Sequence, residues 1–263
     1  MQVEVIHGHH LHYRRNGHAD APLVVFANSL GTDLRIWDGV IERLGGRIQS
    51  LCYDMRGHGL SDAPPAPYTL DDHIDDLAGL LEILHIQRPI LCGISVGGMV
   101  ALGLAARRPD MVRGLVLCDT AHQIGSDALW NERIEQIRRH GIESIADAIL
   151  ERWFSNSYFQ ADPEAVAGWR NMLVRTPVEG YIGTCAALRD ADLTTAAENL
   201  KLPVYCLCGS DDGATPPDLV RSMSALIAGS RFQLVDGAGH LPCIEAPEAL
   251  AGVIDSLIVE IQS

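Results

Sequence analysis

Several kinds of residue and pattern are scarce in this sequence, and each scarcity removes a class of function. Basic side chains are outnumbered, 20 Lys and Arg against 34 Asp and Glu, and the formal charge of -14 repels phosphate backbones and anionic membrane surfaces. Neither nucleic acid nor a membrane is expected as a partner. No run of about eighteen apolar residues occurs, so no transmembrane helix is expected. The opening stretch, MQVEVIHGHHLHYRRNG, carries no charged region followed by an apolar one, and no secretory signal is read there. The seven cysteines follow no framework spacing, and Cys52, Cys92, Cys118 and Cys206 sit in apolar runs. Buried thiols in a reducing compartment are expected, and with them a cytoplasmic location. Metal and nucleotide motifs, internal repeats and low-complexity tracts are missing, so no metal and no cofactor are expected.

Aromatics amount to only 5%, but 47% hydrophobic and 21% charged residues over 263 positions are ordinary for a soluble enzyme with a large core. An acidic protein can still take an anionic small molecule. Salt screens distant charge beyond about 8–10 Å, and one local Arg then dominates a pocket.

What is present is an alternation. Short apolar, β-rich runs lie at VEVI, LHYRR, 22–28, 48–54, 89–94, 112–119, 203–209 and 231–237, the first two as an antiparallel hairpin turning at Gly8. Helical patterns fit between and after them at 33–44, 69–84, 96–107, 217–228 and 246–261; TLDDH supplies a Thr N-cap and first-turn acids to the second of these. The alternation predicts an α/β fold with a mostly parallel, eight-stranded sheet flanked by helices. From Asp119 to Leu202 it stops, and amphipathic stretches at 129–140 and 142–153 predict a helical insertion. Residues 1–120 and 200–263 are thus expected to form the core, and 121–199 a helical cap over the carboxyl edge of the sheet, where such sheets place ligands.

The segment CGISVGG sets Ser95 between Gly93 and Gly97, after an apolar strand and before a helix, which is the setting of a nucleophile elbow. Ser95 then occupies a strained turn, and a Cβ at Gly93 or Gly97 would collide with the adjoining strand and helix. The helix start behind it favours an oxyanion. Two aspartates, Asp211 and Asp212, follow strand PVYCLCG at once, so a carboxylate emerges on the same sheet edge. After the last strand, the Gly-rich loop DGAGH can bring the His240 imidazole back across that edge. The order Ser, Asp, His is that of α/β-hydrolases, with His240 as general base and the acid orienting it.

The clustered His7, His9, His10 and His12 are expected as a solvated strand face rather than a metal site. DMRGHG is expected as a sharp turn, with Arg56 and His58 structuring the loop, and Cys206 and Cys208 as core thiols.

The segments FANSLGTDLRIWD, YDMRGHGLSDAPPAPYTLDD, CGISVGGMVALGLAARRPD, LCDTA, ERWFSNSYF and EGYIGTCAALRDADL together resemble the 3-oxoadipate enol-lactonases of the α/β-hydrolase fold, across essentially the whole chain. Loops of the form G-x-x-D-x-x-x-P in this fold align Gly209, Asp212 and Pro216, and favour Asp212 over Asp211 as the acid. The NSLG loop stands where the fold has a His-Gly pair, which implies an oxyanion hole from the N–H groups of Leu30 and Val96. The Asn28-Ser29 pair departs from that pattern, as does Val96 in place of the commoner Met. The resemblance implies a lactone substrate bearing a carboxylate, hydrolysed in aromatic-compound degradation without a cofactor. A cap Arg is expected to hold the carboxylate: Arg133, with Trp130 one helical turn away, before Arg152 beside Trp153. The decarboxylase sometimes fused to such lactonases has no room after the last helix, so a stand-alone hydrolase is expected. The rivals are a carboxylesterase or perhydrolase of the same fold and a ligand receptor.

Overall fold

The buried, nearly uninterrupted apolar runs assemble as the central strands of one sheet. The computed structural model describes residues 1–262. Its strands are β1 (Gln2–Ile6), β2 (His9–Asn16), β3 (Leu23–Ala27), β4 (Gln49–Tyr53), β5 (Ile90–Ile94), β6 (Gly114–Cys118), β7 (Val204–Gly209) and β8 (Arg231–Val235). They lie in the order β1-β2-β4-β3-β5-β6-β7-β8. The β1–β2 and β2–β4 pairs are antiparallel and the remaining pairs parallel. Strands β4 to β7 are buried at every position, as a sheet covered on both faces requires, whereas edge strand β8 is mostly exposed or half-buried. The chain runs from β3 to β4 on one side and then to β5 on the other. The crevice beyond the carboxyl ends of β3 and β5 is therefore a topological switch point.

Helices α1 (Asp38–Leu44), α2 (Leu70–Ile83) and α3 (Val96–Arg107) follow β3, β4 and β5. The expected 33–44 helix begins instead as a 3-10 turn, Leu34–Trp37, with the Asp33 carboxylate accepting the Arg35 N–H. Thr69 and Asp72 close a reciprocal capping box on α2. Between β6 and β7 the insertion comprises α4 (Asp127–His140), α5 (Ala146–Trp153), α6 (Asn156–Ala161), α7 (Pro163–Val174), α8 (Val178–Asp190) and α9 (Thr194–Asn199). Helix α4 starts two residues before its expected bound because Ser126 caps it, and Gly141, at φ +73°, stops it. Helices α10 (Pro217–Leu226), α11 (Pro242–Glu245) and α12 (Pro247–Gln262) complete the fold, α12 packing on β6, β7 and α1.

Close approach docks the insertion onto the loop between β4 and α2. A Cβ at Gly180 in α8 would lie 2.0 Å from the Gly57 carbonyl oxygen, and one at Gly183 would lie 2.7 Å from the Tyr68 ring. All seven cysteines are free and buried, and no helix is long and apolar enough to cross a membrane among the described residues.

Two of the N-terminal histidines depart from expectation. The hairpin turns at Gly8 (φ +86°), and His7 and His10 are exposed, but His9 and His12 are drawn inward. His9 meets Asp76 at 3.0 Å and His12 meets Asp54 at 2.8 Å, both mostly buried. The more exposed His10 meets Asp62 at 2.8 Å, and His7 the Asp75 carbonyl at 3.3 Å. The physical reason is that β2 lies inside the sheet, where carboxylates from α2 and the β4–α2 loop reach its side chains. Asp76 also receives a bidentate Arg56 at 2.6 and 2.7 Å, which ties the DMRGHG turn to α2.

Candidate active site

Ser95 stands between β5 and α3 at φ +56°, ψ -123°, a conformation that lifts its side chain above the sheet edge. The glycines around it leave no space. A Cβ at Gly93 would come within 2.3 Å of the Gly97 carbonyl oxygen, and one at Gly97 within 2.2 Å of that of Ala27. The turn is held by the Ser95 N–H on the Cys118 carbonyl at 3.0 Å and by the Thr120 hydroxyl on the Ser95 carbonyl at 2.6 Å. Thr120 has no motif of its own in the sequence; only LCDTA, at the end of β6, contains it.

Asp212 and His240 meet behind this turn. His240 Nδ1 lies 3.0 Å from each Asp212 oxygen. Asp212 also accepts the Ala214 and Thr215 N–H groups at 2.7 and 3.0 Å and the Thr215 hydroxyl at 2.6 Å. Burial pushes the Asp212 carboxyl up, but His240 and the hydrogen bonds outweigh it and hold the carboxyl below the usual range. Asp211 is exposed, and its carboxylate accepts from the Ser210 hydroxyl. The two adjacent aspartates therefore stand in different surroundings. The His240 N–H donates to the Trp153 carbonyl at 2.8 Å, and the preceding Gly239 N–H donates to Glu245 at 3.0 Å. The Ser155 hydroxyl donates to the same carboxylate at 2.5 Å. Thr215 and Glu245 carry no motif signal either.

Ser95 and His240 share a small cavity of about 50 Å³, lined from the sheet side also by Ser29, Leu30 and Thr215. Leu30 sits in the loop after β3. Val96 is the first residue of α3, where the leading N–H groups have no intrahelical acceptor. Asn28 accounts for one departure from the fold's usual loop. Its amide donates to the Tyr53 carbonyl at 2.9 Å and accepts the Trp37 indole N–H at 2.8 Å, fixing the strand end that carries Leu30.

The insertion supplies the opposite wall through Trp130, Arg133, Arg152, Trp153 and Tyr181. The Arg133 guanidinium stacks over the Trp130 ring at 4.9 Å, and the Trp130 indole donates to the Ile124 carbonyl at 2.6 Å. Arg152 spends its Nε on the Gly213 carbonyl at 2.9 Å. Burial, and then the neighbouring charge of Arg133, pull the Arg152 guanidinium below its ordinary range. Burial pushes the Tyr181 hydroxyl up, with Arg133 pulling against it.

The alpha/beta hydrolase family pattern matches residues 24–253. The chain belongs to this family. A 3-oxoadipate enol-lactonase of Acinetobacter baylyi is 32% identical over 248 residues, 94% of this chain and 92% of its own. The crystal structure of an enol-lactonase from Burkholderia xenovorans superposes with a TM-score of 0.95 at 37% identity, covering 98% of this chain and all of that one. A thermophilic esterase from Thermogutta terrifontis, solved with malate bound, superposes at 0.93 with 28% identity over the full length of both chains.

In an α/β-hydrolase, this arrangement can do acyl transfer. A hydroxyl in a strained turn faces a cavity shared with an imidazole whose other side is held by a buried carboxylate. Among the described residues, the one convergent group of metal-capable side chains is Asp119, Cys208 and Asp212, and Asp212 is already engaged by His240.

Proposed function

We propose that the chain hydrolyses 3-oxoadipate enol-lactone to 3-oxoadipate in aromatic-compound degradation. The observation that carries this is the composition of the cavity at Ser95: Ser95 and His240 on one wall, and on the other a cation, Arg133, laid over Trp130. The relatives named as enol-lactonases supply the substrate.

Ser95 Oγ attacks the lactone carbonyl while His240 takes its proton, and Asp212 holds the imidazole in the required tautomer. The Leu30 and Val96 N–H groups stabilise the oxyanion. As the tetrahedral intermediate collapses, the ring carbon–oxygen bond breaks and His240 protonates the departing enol oxygen, which stays tethered to the acyl chain. The enol tautomerises to the ketone. His240 then activates water against the acyl-Ser95 ester, and the enzyme is restored with no cofactor. Arg133 pairs with the substrate carboxylate, and Trp130 and Trp153 shape the apolar part of the site. Residues 121–199 act as a cap over a core of 1–120 and 200–263. A cap that walls the cavity facing Ser95 would close over the bound lactone and shut out bulk water. Seven unpaired, buried thiols support a cytoplasmic setting.

The test follows the ultraviolet absorbance of the enol-lactone. Many turnovers per molecule are expected, with loss of at least about 10³-fold in Ser95→Ala at unchanged fold. Ready cleavage of simple aryl esters with the enol-lactone untouched would make the chain a carboxylesterase. At most one slow turnover per molecule would make it a receptor.

A further inference from the structure

A second carboxyl, Asp119, stands behind the acid of the site and has no part in the chemistry above. It follows β6 with φ +44°, in the left-handed region that non-glycine residues seldom occupy, and its N–H is held by the Leu207 carbonyl at 2.8 Å. The residue is wholly buried. Its Oδ1 accepts the Gly209 N–H at 2.8 Å, whereas Oδ2 is enclosed with nothing donating to it. A carboxyl oxygen of Asp119, one of Asp212 and the Cys208 sulfur lie within 4.8 Å of one another. The Cys208 sulfur has its hydrogen-bond contacts with the Gly209 and Thr215 carbonyls, at 3.3 and 3.7 Å.

Two carboxylates within 4.8 Å of one another in so dry a setting repel, which favours a proton on one of them. The question is which one keeps the proton, and the donors decide it. Asp212 receives two backbone N–H groups, a hydroxyl and an imidazole that becomes a cation during the reaction. Asp119 receives one backbone N–H. A proton on Asp119 Oδ2 turns an oxygen with no donor into a donor beside Asp212. We propose that Asp119 remains protonated at working pH and acts as a positioning residue, its Oδ2–H donating to Asp212 so that a single, fixed negative charge faces His240.

The surroundings agree. The titratable groups packed against Asp119 are Asp212 from the β7–α10 loop, Cys208 of β7, Cys118 at the end of its own strand and Cys243 of α11, with His240 beyond Asp212. Burial, then the charge of Asp212, push the Asp119 carboxyl well above the usual range, and the Gly209 N–H pulls against them. The proposal rests on the Ser95–His240–Asp212 assignment, but its tests do not need the lactone.

The first test is thermal. Above about pH 4 an unfolded Asp119 ionises while the folded one keeps its proton, so Asp119 contributes a loss of stability with rising pH that Asp119→Asn lacks. The melting temperature of the Asn variant relative to wild type should rise by about 5 °C or more from about pH 4 to about pH 7. A difference that stays flat means an ionised Asp119 and overturns the proposal. The second test is the pH profile of kcat/KM on a simple aryl ester, which reads the triad whatever the natural substrate. Asp119→Asn, which keeps a neutral donor, should leave the acid limb in place, whereas removal of an anion would move it by about one unit. Asp119→Ala should lower kcat about tenfold with KM little changed, the Asn variant retaining the rate. A moved limb in the Asn variant, or an Ala variant with wild-type kcat, overturns the assignment. If the Ala variant does not fold, the infrared carbonyl stretch of a neutral carboxyl in wild type at neutral pH, missing from Asp119→Asn, carries the proposal; its absence from wild type sinks it.

Discussion

The sheet edge and the helical insertion wall the same cavity, but they hold their residues by different means. Ser95, Asp212 and His240 stand just beyond β5, β7 and β8, where backbone hydrogen bonds and glycine-tight turns leave each side chain little freedom. Trp130 and Arg133 stand on α4, which packs on α8 and is held by side-chain contacts. One turn of the insertion belongs with the sheet instead. At the end of α5, Trp153 accepts the His240 N–H, and Arg152 both accepts from the Gly213 N–H and donates to its carbonyl. The lesson is a division of labour: the residues that would carry the chemistry are locked by main chain, and those that would read the substrate are packed and can vary.

The sheet side predicts the largest effect. Asp212→Asn removes the charge that faces His240 and favours the wrong tautomer, so kcat should fall about 10³–10⁴-fold with the fold intact. Asp211→Asn, next in the chain but exposed, should stay within about twofold. Comparable losses in the two variants would mean that the tight loop geometry around Asp212 does not select the acid, and the contrast drawn above would lose its basis.

The insertion side predicts a smaller and different effect. Arg133→Gln removes a charged hydrogen-bond donor from the wall opposite Ser95, and KM for the enol-lactone should rise about 10–100-fold with kcat little changed. Arg152→Gln breaks the bond to Gly213 next to Asp212, so kcat should fall as well. Steady-state kinetics separates the two. A pure kcat loss in Arg133→Gln would place that residue with the chemistry and erase the division.

The same division explains what could be read from the chain. All eight strands and the Ser95 turn were legible because period, flanking glycines and strand-to-helix context are local signals. Asp212 needed more, since Asp211 is chemically identical and only the form of the loop favours one over the other in the sequence; burial and the bonds to His240, Ala214 and Thr215 separate them in the fold. Helices α6 to α9 were not placed, because short, capped helices packed on one another carry weak periodicity. Thr120, Thr215 and Glu245 were missed because they act on other functional residues through bonds that exist only after folding. His9 and His12 were misjudged for the same reason: their carboxylate partners lie about 40–70 residues away in the chain.

The smallest effect concerns the seam between the two regions. His73 of α2 is buried against α8, its Nε2 3.2 Å from the Thr184 hydroxyl, its Nδ1 without a partner and its ring edge-on to Tyr68. Burial first, then the neighbouring His58 and Arg56, lower its pKa to about 3, so the folded protein holds the ring neutral. The unfolded chain takes up a proton below about pH 6.5, and the stability that His73 contributes above that value is lost steadily as the pH falls towards about 3. At about pH 5 the loss is on the order of 2 kcal/mol. His73→Gln cannot charge, so its stability should fall less than that of wild type between about pH 7 and pH 5, whatever its absolute value. Denaturant titrations at the two pH values measure this. Parallel losses in the two proteins would show that the seam between α2 and α8 is not what acid loosens.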